Sequence, residues 1–194
     1  VAYLLEDDLR HATHVEVVLD GTPPQCQIVL DECAIIAGTR DNALMTDASV
    51  ASTGILAGLP SAWQIMGTGD VNADGQADVV LRNTTTGVVA VWLMNGLTIT
   101  SVGFPGSAAL SYVIKGIGDV DGNGTADIVW RDTLSGAVAI WLMNGTTIAN
   151  SGFPAGVPLE WQIAGMGDVN TDNKADVIWR NTTDGLVAVW LMNG

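Results

Sequence analysis

The stretch that decides the fold runs from Gly118 to Gly145 and reads GDVDGNGTADIVWRDTLSGAVAIWLMNG. Nearly the same 28 residues begin 49 positions earlier at Gly69, as GDVNADGQADVVLRNTTTGVVAVWLMNG. They begin again 49 positions later at Gly167, as GDVNTDNKADVIWRNTTDGLVAVWLMNG. A fixed period of this length is typical of repeat architectures, in which each copy is one supersecondary unit. The sequence therefore predicts a repeat protein.

The copies have the pattern of short β-strands joined by tight turns. In the first copy, residues 77–82 are short and rich in β-branched side chains, and residues 88–94 follow as an apolar run. Asn95-Gly96 predicts a hairpin, because both residue types tolerate positive φ. Residues 99–103 and 112–117 predict two further strands. Four antiparallel strands in 49 residues have the size of a propeller blade, so the predicted fold is all-β, with helix content near zero.

The repeat register continues upstream of the first clear copy. Gly54 lies 49 residues before Gly103, and the match persists back to about residue 43 before it fades. Residues 43–194 are therefore predicted to form β-propeller-type blades, with three clear units. Residues 1–42 are expected to be either a degenerate first blade or a small separate N-terminal β region or strand-exchange arm. The sequence leaves both interpretations open.

Each copy opens with an acidic loop, at residues 70–78, 119–127 and 168–176, in which oxygen-bearing side chains alternate. Calcium requires six to eight oxygen ligands, and side chains at loop positions 1, 3, 5 and 9 with a backbone carbonyl at position 7 can surround one ion. About three structural Ca²⁺ ions are predicted, with an ion-free Asx-rich turn as the alternative. The predicted ligands are Asp70, Asn72, Asp74, Gln76, Asp78, Asp119, Asp121, Asn123, Thr125, Asp127, Asp168, Asn170, Asp172, Lys174 and Asp176.

The segments GDVNADGQADVVLRN, GDVDGNGTADIVWRD and GDVNTDNKADVIWRN resemble the FG-GAP or VCBS-type repeat of bacterial extracellular proteins. The VAVWLMNG and VAIWLMNG segments resemble the apolar second half of that repeat. The resemblance covers about residues 43–194. It implies a calcium-binding β-propeller outside the cell, usually with seven blades. The number of copies in this chain departs from that count.

Charge and composition exclude several classes of function. The chain has 7 cationic and 21 anionic side chains, a formal net charge of −14, which disfavours binding to nucleic acid or to anionic membranes. No apolar run approaches the length of about 20 residues that a membrane span needs. The sequence contains no nucleophile elbow, zinc-protease or phosphate-loop motif, so no enzyme is predicted. Without an initiator Met or a signal peptide, the chain is expected to be a mature form or a fragment.

Two other residue types recur with the period. Arg82, Arg131 and Arg180 follow the same strand in each copy and are expected to bond turn carbonyls or carboxylates, with ligand binding as the alternative. The tryptophans are expected to pack between blades rather than to form sugar platforms. They are Trp63, Trp92, Trp130, Trp141, Trp161, Trp179 and Trp190.

Two kinds of covalent modification are also indicated. Cys26 and Cys33 are predicted to form a local disulfide in an extracellular protein, with a zinc site that includes His11 and His14 as the alternative. Three Asn-x-Thr sequons are possible glycosylation sites, unless their asparagines serve only as turn residues. They are Asn83, Asn144 and Asn181.

The predicted function is that of a non-enzymatic, calcium-stabilised extracellular β-propeller repeat protein for adhesion, ligand binding or surface assembly. One alternative is a structural subunit of a fibre or homo-oligomer joined by strand complementation, with residues 1–13 as a candidate donor strand. Another is a lectin-like module. The expected partners are further copies of the chain, another extracellular protein or a glycan. Whether the ring closes within one chain, between chains or in a larger propeller stays open.

Overall fold

The computed structural model describes residues 52–193, and the chain from Thr53 onward forms one compact unit. Within residues 52–193 all regular structure is β-strand, so the predicted all-β fold is confirmed. The strands are β1 (Trp63–Gly69), β2 (Asp78–Asn83), β3 (Val88–Asn95), β4 (Thr98–Ser107), β5 (Tyr112–Gly118), β6 (Asp127–Asp132), β7 (Val138–Asn144), β8 (Thr147–Gly152), β9 (Trp161–Gly167), β10 (Asp176–Asn181) and β11 (Val187–Trp190). The predictions for residues 1–42, including the cysteines, lie outside the described residues.

The strands form three antiparallel meanders, in which each strand pairs with the next one along the chain. Blade 1 contains β1–β4, blade 2 contains β5–β8, and blade 3 contains β9–β11. This arrangement is that of propeller-type blades, as the period predicted. Nowhere in residues 52–193 does a helix have the length and apolar character needed to cross a membrane.

The strand bounds follow the prediction closely, with one extension. The predicted strand at residues 99–103 reaches from Thr98 to Ser107 in the structure. It continues because Gly106 and Ser107 pair with Val89 and Val88 of the neighbouring strand. The first strand of every blade also carries a β-bulge at the same repeat position, between Ile65 and Gly67, between Ile114 and Gly116, and between Ile163 and Gly165. The repeated bulge shows that the three units share backbone detail as well as sequence.

The hydrophobic core lies between consecutive blades. The packing is sequential: β1 contacts β5, β5 contacts β9, and β4 contacts β8. One apolar layer joins blades 1 and 2, and a second joins blades 2 and 3. The rear faces of blades 1 and 2 are therefore covered by the front faces of blades 2 and 3. Because blade 2 is covered on both faces, Val138, Ala139 and Ile140 are all buried in succession on β7.

A guanidinium clamp joins each blade to the next. Arg131 of blade 2 donates through Nη2 to the carbonyl oxygens of Val157 at 2.5 Å and Pro158 at 2.9 Å, at the corner that leads into blade 3. Its guanidinium carbon also lies 5.3 Å from the ring centroid of Trp179. This cation–π contact is strengthened by burial, since water does not compete for the guanidinium.

The same clamp joins blades 1 and 2. Arg82 donates to the carbonyl oxygens of Ala109 at 2.9 Å and Ala108 at 3.2 Å, and also to that of Tyr112. Its guanidinium carbon lies 5.0 Å from the ring centroid of Trp130. The expectation that these arginines bond turn carbonyls is therefore confirmed for both interfaces, and Trp130 and Trp179 pack between blades as expected. The turns that they bond belong to the next blade.

We expect Arg131→Leu to lower the free energy of unfolding by about 2 kcal/mol or more, because buried carbonyls lose their charged donors. The matched control is Arg180→Leu in blade 3, where the same residue of the repeat is exposed. That control is expected to change stability by less than about 0.5 kcal/mol. Urea unfolding in dilute solution measures both. Equal losses would contradict the assignment of the clamp to the inter-blade contact.

Candidate metal centres

The acidic loops connect the first and second strands of each blade, and the first aspartate organises each loop. In the loop at 119–127, Asp119 accepts the backbone N–H of Gly122 on Oδ1 at 2.7 Å and that of Gly124 on Oδ2 at 2.8 Å. Asp70 accepts the N–H of Gly75 at 2.7 Å, and Asp168 accepts that of Asn173 at 2.9 Å. Each loop therefore wraps around the carboxylate at its first position.

Positions 3 and 5 form an amide–carboxylate pair in every loop. The side-chain amide of Asn72 donates to Asp74 Oδ2 at 2.9 Å. In the second loop the order is reversed, and Asn123 donates to Asp121 Oδ2 at 3.0 Å. The third loop repeats the first arrangement, with Asn170 and Asp172 at 3.0 Å. The pairing holds the side chains of positions 3 and 5 close together, as binding to one metal ion would require.

The aspartate at position 9 is buried and fixes two distant segments. Asp127 accepts the N–H of Val120 on Oδ2 at 3.0 Å and that of Met143 on Oδ1 at 2.9 Å. Asp78 and Asp176 accept the equivalent pairs of N–H groups in blades 1 and 3. The sequence reasoning assigned these residues to metal binding alone and missed this role. The signal for it was the recurrence of Asp and Met at a fixed spacing of 16 residues.

The second loop brings its carboxylates closest together. One oxygen of each of Asp119, Asp121 and Asp127 lies within 4.8 Å of the others. Burial raises the pKa of Asp127 to about 6; the N–H groups of Met143 and Val120 oppose this shift, and the charges of Asp121 and Asp119 add to it. The other loops also have three carboxylates, but asparagine stands at position 3 and aspartate at position 5. A divalent cation would relieve both the burial cost and the repulsion.

The residues at position 7 were predicted to ligate through their backbone carbonyls, and their side chains differ between loops. Gln76 Oε1 accepts the N–H of Gly96 at 3.1 Å. Thr125 Oγ1 donates to the carbonyl oxygen of Met143 at 2.9 Å. The first contact ties its loop to the turn after β3, and the second ties its loop to the end of β7. Lys174 instead places its Nζ 3.9 Å from Asp172 Oδ2, so an ammonium group partly neutralises the third loop.

The loops contain two left-handed backbone positions each. At position 6, Gly75 and Asn173 have φ of 84° and 66°, as expected for a Gly and an Asn in a sharp turn. At position 4, Ala73 and Thr171 also have positive φ, of 59° and 62°. An alanine and a β-branched residue pay a steric penalty there. Sequence reasoning missed the left-handed conformation at position 4, because only the second loop has a glycine there, Gly122.

The loops of consecutive blades are hydrogen-bonded to one another. The N–H of Ala126 donates to the carbonyl oxygen of Asp70 at 2.6 Å, and that of Ala175 donates to the carbonyl oxygen of Asp119 at 2.5 Å. The N–H of Gly145 also donates to Val71 at 2.6 Å. Hydrogen bonds therefore connect the three candidate metal loops in sequence. The conformation of each loop depends on the packing of its blade against the next.

The asparagines of the possible glycosylation sites occupy turns. Asn83 Oδ1 accepts the N–H groups of Thr85 at 2.9 Å and Thr86 at 3.0 Å. Asn181 makes the equivalent turn in blade 3 and is buried. Asn144, by contrast, is exposed at the end of β7. The alternative that these asparagines serve as turn residues therefore describes Asn83 and Asn181.

We expect Ala73→Gly to stabilise the protein by about 1 kcal/mol, because glycine adopts the left-handed conformation without a steric penalty. The control is Ala149→Gly, the same substitution on the exposed face of β8. It should destabilise by about 0.5–1 kcal/mol, since glycine weakens a strand. Thermal unfolding of both variants tests the contrast. A loss at both positions would contradict backbone strain at Ala73.

Comparison with known proteins agrees with this geometry. The model of the FG-GAP-like repeat family matches residues 70–130, which reach from the start of the first acidic loop to the buried Trp130 of blade 2. No curated protein and no solved structure matches the chain. The matched segment contains two acidic loops, one complete inter-blade clamp and the strands between them. The chain therefore carries an FG-GAP-like repeat at residues 70–130.

Proposed function

We propose that this chain is a non-enzymatic, calcium-stabilised β-propeller-type scaffold that acts outside the cell, in adhesion, ligand binding or surface assembly. The observation that carries the proposal is the loop at 119–127, where three carboxylates converge within 4.8 Å and one of them is buried. Burying a carboxylate beside two others is unfavourable unless a cation or a proton compensates. A bound divalent cation provides that compensation at neutral pH.

Calcium suits the donor set better than a transition metal does. The side-chain donors that converge in the loops are carboxylate and amide oxygens, which hard cations prefer, whereas zinc favours His and Cys ligands. The left-handed residues and the Asx-type hydrogen bonds fix the loop conformation before any ion binds. In blade 2 the ion would be held by Asp119, Asp121, Asn123 and Asp127, with the backbone carbonyl of Thr125. The first and third loops offer the same positions and the same number of carboxylates, with asparagine at position 3 and aspartate at position 5.

Calcium bound in these loops would stabilise the folded blades. Asp127 links the start of the acidic loop to the end of β7, so an ion bound there connects three segments of one blade. The row of hydrogen bonds between loops extends this effect to the next blade. Loops of this type in extracellular modules bind calcium with dissociation constants of roughly 10⁻⁴–10⁻³ M, which suits an environment outside the cell.

A structural rather than catalytic role follows from how the loop carboxylates are used. The aspartates at positions 1 and 9 accept backbone N–H groups on both oxygens, so they serve as anchors of the backbone. A lectin-like role receives less support. Trp130 and Trp179 are fully buried between blades, where they cannot serve as platforms for a sugar.

We expect calcium to raise the unfolding temperature relative to EDTA. A ligand at one hundred times its dissociation constant stabilises by about 2.7 kcal/mol for each site. Differential scanning calorimetry in Ca²⁺, Mg²⁺ and EDTA measures the effect. Magnesium should stabilise much less, because it prefers a small octahedral site and retains its water ligands. An unfolding temperature that is the same in Ca²⁺ and in EDTA would refute the proposal.

Asp121→Asn should weaken calcium binding at the second loop, since it removes one charge from the cluster with little change in shape. The expected loss is about tenfold in affinity, which corresponds to about 1.4 kcal/mol. Isothermal titration calorimetry measures it. The control is Asp184→Asn, a carboxylate in the turn before β11 that lies outside the acidic loops. An equal effect of both substitutions would indicate general charge screening rather than a site.

A further inference from the structure

The third acidic loop carries a positive charge that the other two loops lack. At loop position 7 the first loop has Gln76 and the second has Thr125, whereas the third has Lys174. All three loops contain three carboxylates. The third loop is therefore the one in which an ammonium group of the chain itself offsets part of the negative charge.

The backbone holds Lys174 at the junction between the second and third loops. The N–H of the next residue, Ala175, donates to the carbonyl oxygen of Asp119 at 2.5 Å. A Cβ atom added to Gly118 would lie only 2.9 Å from the Cβ of Ala175, so the two segments are in close contact. These contacts lie on the side of the third loop that faces blade 2. The packing of blade 3 on blade 2 therefore sets the position of Lys174.

The aliphatic part of the Lys174 side chain lies across Gly122 of the second loop. A Cβ atom added to Gly122 would lie 3.3 Å from both Cγ and Cε of Lys174, which is closer than ordinary van der Waals contact. The first loop has Ala73 at the position of Gly122. The glycine of the second loop therefore leaves the space that the lysine side chain occupies.

The ammonium group lies beside a predicted calcium ligand. Lys174 Nζ is 3.9 Å from Asp172 Oδ2, and this is the only ion pair within residues 52–193. The other carboxylate oxygen, Oδ1, accepts the backbone N–H of Lys174 at 2.9 Å. The backbone and the side chain of Lys174 therefore both interact with a carboxylate that calcium would use.

The first loop provides the matched comparison, because it has the same order of side chains at the predicted ligand positions. Positions 3 and 5 are Asn and Asp in both loops, and the amide-to-carboxylate distances are 2.9 and 3.0 Å. At position 7 of the first loop, Gln76 Oε1 accepts the N–H of Gly96 at 3.1 Å, so this side chain binds the turn after β3. The two loops therefore offer the same carboxylates and amides in similar geometry but differ in charge.

We propose that Lys174 is an internal counter-cation, which replaces part of the charge of calcium at the third loop and makes that loop the weakest of the three calcium sites. This inference rests on the proposed calcium-stabilised function and states how calcium affinity differs among the loops. The third loop depends least on calcium for its conformation, and it fills last as the calcium concentration rises.

Calcium and the ammonium group compete for the same carboxylate. Two cations a few ångströms apart repel each other, and the partial exposure of Lys174 and Asp172 screens this repulsion. A screened repulsion of this kind corresponds to a loss of roughly tenfold in calcium affinity. In the absence of calcium the same ammonium group reduces the repulsion among the three aspartates of the third loop. The lysine therefore has opposite effects on the empty loop and on calcium binding.

Each loop contains a backbone amide that reports on its own site. The N–H groups of Gly75, Gly124 and Asn173, all at loop position 6, donate to the aspartate at position 1 of their loop. Two-dimensional ¹⁵N NMR of the full chain during a calcium titration therefore gives a separate midpoint for each loop. In the wild type, the Asn173 signal should reach its midpoint at about ten times the calcium concentration that the Gly75 signal needs.

Substitutions of Lys174 separate its charge from its packing. Lys174→Met keeps an unbranched side chain over Gly122 and removes the charge, so the Asn173 midpoint should fall about tenfold while the Gly75 midpoint stays unchanged. Lys174→Arg keeps the charge and should behave as the wild type does. Lys115→Met is the control, because it removes a charge from an exposed residue of β5. It should leave all three midpoints unchanged within about twofold.

Thermal unfolding provides a second measurement. In EDTA, Lys174→Met should unfold at a lower temperature than the wild type, because the carboxylates of the third loop lose their internal counter-cation. Calcium should then raise the unfolding temperature of Lys174→Met by more than it raises that of the wild type, since the third loop binds the ion more tightly. Lys174→Arg should match the wild type in both conditions.

Several outcomes would overturn the proposal. Equal midpoints for Gly75 and Asn173 in the wild type, or an Asn173 midpoint that Lys174→Met does not move, would remove this inference and leave the calcium-stabilised scaffold in place. A loss of stability in Lys174→Met that is the same in EDTA and in calcium would assign the lysine a packing role only. Amide signals that do not respond to calcium in any loop would remove both this inference and the proposed function.

Discussion

The burial of one blade by the next is the constraint on which the rest of the structure depends. A four-stranded sheet with two apolar faces is not stable alone, and in this chain each face is covered only when a neighbouring blade packs on it. The guanidinium clamp ties that contact together, because it joins a strand end in one blade to three carbonyls and an indole in the next. Stability is thus a property of pairs of blades, as in other repeat proteins.

The acidic loops depend on the same packing. Asp70 and Asp119 offer their side chains to their own loop and their carbonyl oxygens to the loop of the next blade. An ion bound in one loop would therefore act at an interface as well as within a blade. The loop backbone also carries strain at Ala73 and Thr171, which persists because the surrounding hydrogen bonds fix the turn. We infer that calcium and blade packing support each other.

The sequence was sufficient to predict the strands and the loop positions because both depend on local pattern and on a period that repeats three times. It could not reveal the partners of Arg82, since those carbonyls lie 26 to 30 residues away in another blade and belong to unremarkable residues. The left-handed Thr171 was also hidden, because a β-branched residue gives no signal for positive φ.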